Sequence, residues 1–183
     1  MEETNIEEAH LLFETNFFGV LRMTQAVLPS MRSHGYGRIV NISSMFGVLP
    51  GPYRGIYVAS KHALEGYTKT LDHEVRMFGI RAVLVEPVYT KTKIAENEKS
   101  VQAAIPAYAD QKQRVMKIME KEIANGDDPN AVAEVVYAAV TAKSPRLQYP
   151  VGQGVMLSRL HRVLPERAFD NQFRKRLELD QTA

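Results

Sequence analysis

The sequence predicts an α/β fold, a doubly wound parallel sheet in which strands alternate with helices. Two observations lead to this prediction. Short apolar runs at residues 38–42 and 80–85 are bounded by turn-forming residues, as buried strands of a parallel sheet are. The segments around them are longer, and their apolar residues recur at helical spacing. We therefore expect a single domain over residues 1–183, with three strands and flanking helices.

The first predicted element is a long amphipathic helix at residues 7–33. Side chains on one face of a helix recur every three or four positions, and the stripe consists of Phe13, Phe17, Val20, Leu21, Thr24, Val27, Leu28 and Met31. Gly35 and Gly37 follow, where glycine favours a helix end and a turn. The strand 38–42 is expected directly after this turn.

A second helix is predicted at about residues 57–78, after a loop at 43–56 that is rich in Gly and Pro. Its apolar positions also repeat at helical spacing: Leu64, Tyr67, Leu71, Val75 and Phe78. Gly79 ends the helix, and the strand 80–85 lies between this glycine and Pro87. This continuous apolar run predicts a strand that is buried on both faces.

The chain then becomes polar and irregular up to Asp128, with a helix predicted near residues 111–124. Asp128 and Pro129 predict the start of another helix, because aspartate favours the N-cap and proline the first helical position. A third short strand is predicted at residues 147–151. One or two terminal helices are expected within residues 155–180, broken near a proline.

Composition and charge limit the class of protein. The 183 residues are 45% hydrophobic and include no cysteine, which excludes a disulfide framework. The formal charge of +2 is too small to indicate nucleic-acid binding, and the basic segment 159–176 is interpreted as a solvated helix face. The N-terminus is acidic, unlike a secretory leader, and the apolar stretch 131–142 is too short for a membrane span. We therefore expect a soluble cytoplasmic protein.

The residues that indicate chemistry are Tyr57 and Lys61, with Ser44 thirteen positions before the tyrosine. Residues four apart lie on one helix face, so the Lys61 ammonium can lie beside the Tyr57 hydroxyl and favour its ionised form. A tyrosine with a pKa of about 10 is otherwise a poor acid or base at neutral pH. Ser44, at the end of a strand, could hold a substrate oxygen. The alternative is an ordinary surface pair on a helix.

The run from Asn16 through Thr92 resembles the short-chain dehydrogenase/reductase family, which has a serine followed by a Y-x-x-x-K pair. The strings NISS and YVASKHALEG, which contain Ser44, Tyr57 and Lys61, carry the resemblance. It implies a partial Rossmann-like fold and an NAD- or NADP-dependent oxidoreductase that interconverts a secondary alcohol and a ketone. In the family the tyrosine transfers the proton, and the lysine lowers the tyrosine pKa and binds the nicotinamide ribose.

The resemblance also implies roles for residues outside this pair. Ser44 would bind the substrate oxygen, and Asn16 corresponds to the family's fourth catalytic residue, which supports a proton-relaying water. An amide on an apolar helix face, satisfied by backbone groups at a kink, is the structural alternative. The string EPVYTKT resembles the family's P-G-x-x-x-T segment, so Pro87 and Thr92 are expected to contact the nicotinamide. Val88 replaces the glycine and restricts the backbone there.

In the family the segment corresponding to residues 88–128 covers the substrate, so we expect a lid there. Apolar and aromatic side chains near it predict an apolar substrate pocket, or equally a core: Tyr53, Tyr89, Ile94, Ile105, Tyr108 and Met116. Helices corresponding to residues 7–33 and 57–78 pack against symmetry mates in the family. A homo-oligomer is therefore expected.

A G-x-G-x-x-G turn, which binds the pyrophosphate of a dinucleotide, is absent from the sequence. The chain resembles the C-terminal catalytic portion of a family member. A second hypothesis is therefore a truncated or degenerate member that keeps the fold and oligomer interface but does not bind a dinucleotide alone. A G-x-S-x-G elbow is also absent, which excludes a typical serine hydrolase, and the histidines show no metal-binding spacing.

Overall fold

The computed structural model describes residues 2–92 and 105–180. Its sheet has three parallel strands, β1 (Gly37–Ile42), β2 (Ile80–Glu86) and β3 (Gln148–Pro150), in the order β1-β2-β3. The central strand β2 is buried along almost its whole length, as expected for a parallel strand covered on both faces. The predicted parallel sheet with flanking helices is confirmed.

The helix predicted at residues 7–33 is divided into three consecutive segments: α1 (Ile6–Phe13), a π-helical segment (Glu14–Phe18) and α2 (Gly19–His34). The Asn5 side chain caps α1 by accepting the Glu7 N–H at 2.8 Å. At the other end Gly35 has a φ of 64°, the left-handed conformation that glycine adopts readily. The prediction of one uninterrupted helix was therefore wrong at the π-helical segment, a wide turn that contains Asn16.

The second predicted helix is α3 (Gly55–Val75), followed by a 3₁₀ turn at Arg76–Phe78. It packs on one face of the sheet, where Leu71 and Val75 join a core cluster with Ile80 and Ala82 of β2. A buried carboxylate fixes this contact, because Asp72 accepts the Ala82 N–H at 3.0 Å. Arg76 and Arg81 also bind Asp72.

The remaining helices follow in chain order: α4 (Pro106–Ala124), α5 (Pro129–Thr141), α6 (Gly154–Val163) and α7 (Glu166–Arg176). The predicted cap is present, since Asp128 accepts the Asn130 N–H at 2.7 Å. Ala139 of α5 packs with Val83 and Val85, which lie on the opposite face of β2 from Ala82. Helices therefore cover both faces, as in a doubly wound sheet.

Residues 93–104 of the predicted lid lie outside the described residues. The helix α4, which follows them, begins five positions earlier than predicted and includes Tyr108. Across the described ranges, none of the helices has the length and apolar character that crossing a bilayer requires.

Candidate active site

The predicted site lies where β1 and β2 end. The carboxyl ends of neighbouring parallel strands share one edge, and two hydrogen bonds join the loop after β1 to the last residues of β2 and to the segment that follows β2. The Ser43 N–H donates to the Val85 carbonyl, and the Met45 N–H donates to the Pro87 carbonyl, both at 2.8 Å. Between these two bonds lies Ser44, whose hydroxyl contacts the Pro87 carbonyl at 3.3 Å. The strand ends therefore place the serine against the segment that contains Pro87.

Tyr57 and Lys61 lie in the first turns of α3, on the same side of the helix. The Lys61 ammonium nitrogen is 5.9 Å from the centroid of the Tyr57 ring. It also donates a hydrogen bond of 2.9 Å to the carbonyl of Ile42, the last residue of β1. Burial lowers the pKa of Lys61, and the negative charge of Glu65 one turn later opposes this change. The lysine is thus held between the tyrosine and the strand end.

Phe46 connects the serine to the tyrosine. Its backbone N–H donates to the Ser44 hydroxyl at 3.2 Å, and its ring packs edge-on against Tyr57 with centroids 6.4 Å apart. The same ring packs against Tyr89 at 6.1 Å. Ser44 and Tyr57 are therefore neighbours on either side of one buried aromatic residue.

The wide helical turn brings Asn16 to the same site. Its side-chain nitrogen donates to the Ser60 hydroxyl at 3.1 Å, and Ser60 donates to the Tyr57 carbonyl at 2.8 Å. A side chain of α3 therefore satisfies the amide. Sequence reasoning missed Ser60, although its position three residues after Tyr57 places it one helical turn away.

Of the two residues expected to contact the nicotinamide, Pro87 lies at the site, whereas Thr92 is exposed. The Pro87 carbonyl faces Ser44, as described above. Among the described non-glycine residues, only Tyr53 and Glu178 have a positive φ, so the backbone at Val88 does not require a glycine. The Val88 side chain packs in an apolar cluster. Thr92 is exposed and is the last described residue before position 105.

An apolar cluster extends from the site to α4. Its buried members are Phe46, Tyr89, Val115 and Met119. Of the residues predicted to line a substrate pocket, Tyr53 and Met116 also pack here, whereas the Tyr108 hydroxyl donates to the exposed N-terminal residue Glu2 at 2.8 Å. Ile105 is half-buried and donates its N–H to Glu3. Ile94 lies outside the described residues.

Arg54 is a second cation at Tyr57 that sequence reasoning missed. Its guanidinium carbon is 5.2 Å from the centroid of the Tyr57 ring, closer than the Lys61 nitrogen. Burial lowers the pKa of Arg54, and its interactions with Tyr57 and Tyr89 oppose that effect. Its position three residues before Tyr57 is the signal that could have identified it.

A buried carboxyl pair lies behind the site. Glu86 immediately precedes Pro87 and is fully buried, and Glu65 of α3 is nearly so. Gln148 donates to Glu86 at 2.5 Å and to Glu65 at 3.4 Å. Burial first, and then the neighbouring Glu65, raise the pKa of Glu86 to about 7. The Glu86 carboxyl therefore keeps its proton at a pH at which an exposed glutamate is ionised.

Known proteins share both the sequence and this fold. An uncharacterized oxidoreductase of Bacillus subtilis, YusZ, is 37% identical over 183 residues, covering 97% of this chain and 65% of its own. A 3-ketodihydrosphingosine reductase of Bacteroides thetaiotaomicron is 40% identical over 154 residues, covering 83% and 57%. The crystal structure of a short-chain dehydrogenase from Streptomyces avermitilis superposes with a TM-score of 0.75 at 32% identity, over 96% of this chain and 64% of that one.

The chain thus spans less than two thirds of the length of these relatives. The profile of one family, described as short chain dehydrogenase, matches residues 1–103. This segment contains Asn16, Ser44, Tyr57 and Lys61, the residues gathered at the ends of β1 and β2. Because the match covers more than half of the sequence, the chain belongs to the short-chain dehydrogenase/reductase family.

Proposed function

We propose that the protein is an NAD- or NADP-dependent oxidoreductase that interconverts a secondary alcohol and a ketone, with Tyr57 as the acid and base. The observation that carries this proposal is the continuous network around the tyrosine. Ser44 reaches it through Phe46, Lys61 lies beside its ring, and Asn16 reaches its backbone through a buried hydroxyl. Family membership gives this arrangement its chemical interpretation.

The chain's own residues would handle the oxygen and the proton. In the direction of reduction, the Tyr57 hydroxyl donates a hydrogen bond to the carbonyl oxygen of the substrate. The Ser44 hydroxyl, which donates to the Pro87 carbonyl in the structure, would turn to donate a second one. A bound nicotinamide cofactor would supply the hydride. Tyr57 then gives its proton to the developing alkoxide, and the adjacent Lys61 charge stabilises the phenolate that remains. In oxidation the same groups act in reverse.

The donor groups at the ends of the strands are suited to the nicotinamide end of such a cofactor. Lys61 has three N–H donors and gives one to Ile42, which leaves donors for ribose hydroxyls. The crevice at the carboxyl ends of parallel strands is the usual ligand position in this fold class. We assign cofactor contacts to Tyr57, Lys61, Pro87 and Thr92.

The apolar cluster supports a substrate with an apolar body. Phe46, Tyr89 and Met116 pack together next to Tyr57, and α4 forms one wall of this region. We therefore propose that residues 88–128 form a lid over the substrate. The name of the Bacteroides relative, a reductase of a keto compound, is consistent with ketone reduction.

The test is a steady-state assay that follows NADH or NADPH absorbance with a panel of aliphatic and aromatic ketones, paired with calorimetric titration of both cofactors. Turnover that depends on one cofactor supports the proposal. Absence of turnover together with absence of cofactor binding would favour the alternative, a family fragment that keeps the fold and an oligomer interface without autonomous catalysis.

We also propose a homo-oligomer in which helices at residues 7–33 and 57–78 contact a second copy. Large apolar side chains are exposed along the first of these segments, with Leu11 65% and Met23 67% accessible. Met77, at the end of the second, is 80% accessible. Burial of such side chains against another copy would remove apolar surface from water.

A further inference from the structure

The helix α6 packs on the domain through two small residues. Gly154 and Ser158 lie one turn apart on the helix, and both are buried. The contact at Gly154 is close, because a Cβ there would lie 3.0 Å from Met45 and 3.3 Å from the Glu86 carbonyl oxygen. These contacts hold one side of α6 against the end of β2 and the loop after β1.

The large apolar side chains of α6 lie on its outward side instead. Met156 is 61% accessible and Val163 is 81% accessible. Seven positions make almost two helical turns, so these two side chains project in nearly the same direction, about half a turn away from Ser158. Leu160 lies beside them and is half-buried. A helix ordinarily turns its apolar side to the core, whereas α6 turns it outward, which marks this side as a surface for a partner.

The charged residues around this apolar surface are basic. Arg159 lies on the same side of α6, between Met156 and Val163 in sequence, and it is exposed. Arg162 is exposed as well and donates to Gln148 at 2.9 Å. The helix contains no Asp or Glu. Residues 154–176 contain six Lys and Arg against two Asp and Glu, whereas the formal charge of the whole chain is only +2. The surface therefore combines apolar side chains with an excess of positive charge.

This combination distinguishes between possible partners. A second copy would bring an identical basic surface against this one, and like charges in contact oppose association. A nucleic acid offers phosphates to the arginines but no apolar phase to Met156 and Val163. A surface of anionic lipids offers both, because the side chains of an amphipathic helix can enter the boundary of the acyl chains while its cations remain at the headgroups.

We propose that the outer face of α6 binds the surface of a membrane that contains anionic lipids. This outer face consists of Met156, Arg159, Leu160 and Val163. The helix lies in the plane of the lipid surface, because its opposite side stays packed on the domain through Gly154 and Ser158. The inference does not rest on the proposed function, since binding to lipid requires no turnover.

Co-sedimentation of the 183-residue chain with vesicles tests the inference. Vesicles of phosphatidylcholine alone are compared with vesicles of equal parts phosphatidylcholine and phosphatidylserine. We expect the wild type to bind the anionic vesicles at least about tenfold more tightly, and high salt should weaken this binding. Arg159→Gln should weaken it by about fivefold, the contribution of one basic residue near an anionic surface. Met156→Gln combined with Val163→Gln should weaken it by at least about fivefold.

Two matched controls change the same kinds of side chain elsewhere. Met77→Gln removes an apolar side chain that is 80% accessible after α3, and Lys143→Gln removes an exposed positive charge before β3. Both controls should bind the anionic vesicles as the wild type does. Melting temperatures show which variants are folded, and Val163→Gln alone replaces the double variant if the latter unfolds.

The inference is overturned if the wild type binds neither kind of vesicle, or binds both equally. It is also overturned if either change in the outer face leaves anionic binding intact. Tighter binding to a labelled DNA duplex than to the vesicles, lost in Arg159→Gln but kept in the double apolar variant, would assign the face to nucleic acid instead. A lower mass of the double variant in sedimentation velocity, with unchanged vesicle binding, would assign it to contact between copies.

Discussion

Tyr57 has a ring that serves packing and a hydroxyl to which we assign the chemistry. The ring contacts Phe46, Arg54 and Lys61, and none of these contacts requires the oxygen. Tyr57→Phe should therefore leave the melting temperature nearly unchanged and lower cofactor affinity by no more than the one contact assigned to the hydroxyl, while kcat falls by about 10² to 10⁴. Steady-state kinetics and calorimetry measure the two effects separately. A kcat near the wild-type value would show that another group transfers the proton.

Lys61 is expected to affect both cofactor binding and the pH profile. Lys61→Ala removes donors proposed for the ribose and also removes a cation that favours a phenolate. Cofactor affinity should fall, and the pH at which oxidation of the alcohol becomes efficient should rise. Lys143→Ala, a change at an exposed residue before β3, is the control. If affinity and pH profile both match the wild type, Lys61 has only a structural role.

The buried carboxyl pair predicts a pH dependence of stability. The pKa of Glu86 is raised from 4.5 to about 7, so the folded state binds more protons than the unfolded state between these values. Stability should therefore fall as the pH rises from about 5 to about 7, by at most about 1.4 kcal/mol per pH unit for one proton. Urea denaturation across this range measures the slope.

Glu86→Gln can still accept the hydrogen bond from Gln148 through its amide oxygen, and it does not titrate. The slope between pH about 5 and about 7 should therefore flatten in this variant. Glu74→Gln, on the exposed side of α3, should retain the slope. An identical slope in wild type and Glu86→Gln would mean that another group is responsible.

At the level of elements, short apolar runs were enough to predict β1 and β2, and helical periodicity was enough to predict the helices that cover them. A continuous apolar run reflects a strand covered on both faces, and apolar residues about 3.6 positions apart reflect burial of one helix face, so that this information is local in sequence. The π-helical turn was not predictable in this way, because Asn16 is bonded to Ser60 of another helix. The helical spacing did place Lys61 next to Tyr57.

Sequence reasoning also missed groups that depend on tertiary contacts. Glu86 directly follows the predicted strand 80–85 and was not recognised as one half of a buried pair, since its partner is on α3. Arg54 lies in the Gly- and Pro-rich loop, whose course the sequence does not specify. The catalytic assignments themselves came from the family resemblance that the spacing of Ser44, Tyr57 and Lys61 supports, and they remain predictions.

The contact between the wide turn and α3 can be tested by a double-mutant cycle. Asn16→Ala and Ser60→Ala each break the 3.1 Å hydrogen bond between these side chains. Each single variant should lower the free energy of unfolding by about 1 to 2 kcal/mol, and the double variant by less than the sum. Additive effects in urea denaturation would show that the two side chains are not coupled.

For the whole molecule, the first strand leaves one edge of the sheet open. The strand β1 pairs with β2 alone among the described residues, and Ile42 at its end is 45% accessible. A groove of about 540 Å³ lies beside it, lined by residues of α2 and β1 that include Val20, Val27 and Ile39. An unpaired edge next to apolar side chains favours association with another chain.

We therefore predict that the 183-residue chain is at least a dimer at micromolar concentration. Light scattering and sedimentation velocity measure its mass over a dilution series. Met23→Glu places a charge on the exposed apolar face of α2 beside the groove, so it should weaken association. Lys143→Glu, an exposed change outside these helices, should not weaken it. A monomer across the whole dilution series would contradict the prediction. It would show that neither the open edge of β1 nor the apolar faces of the helices form an interface between copies.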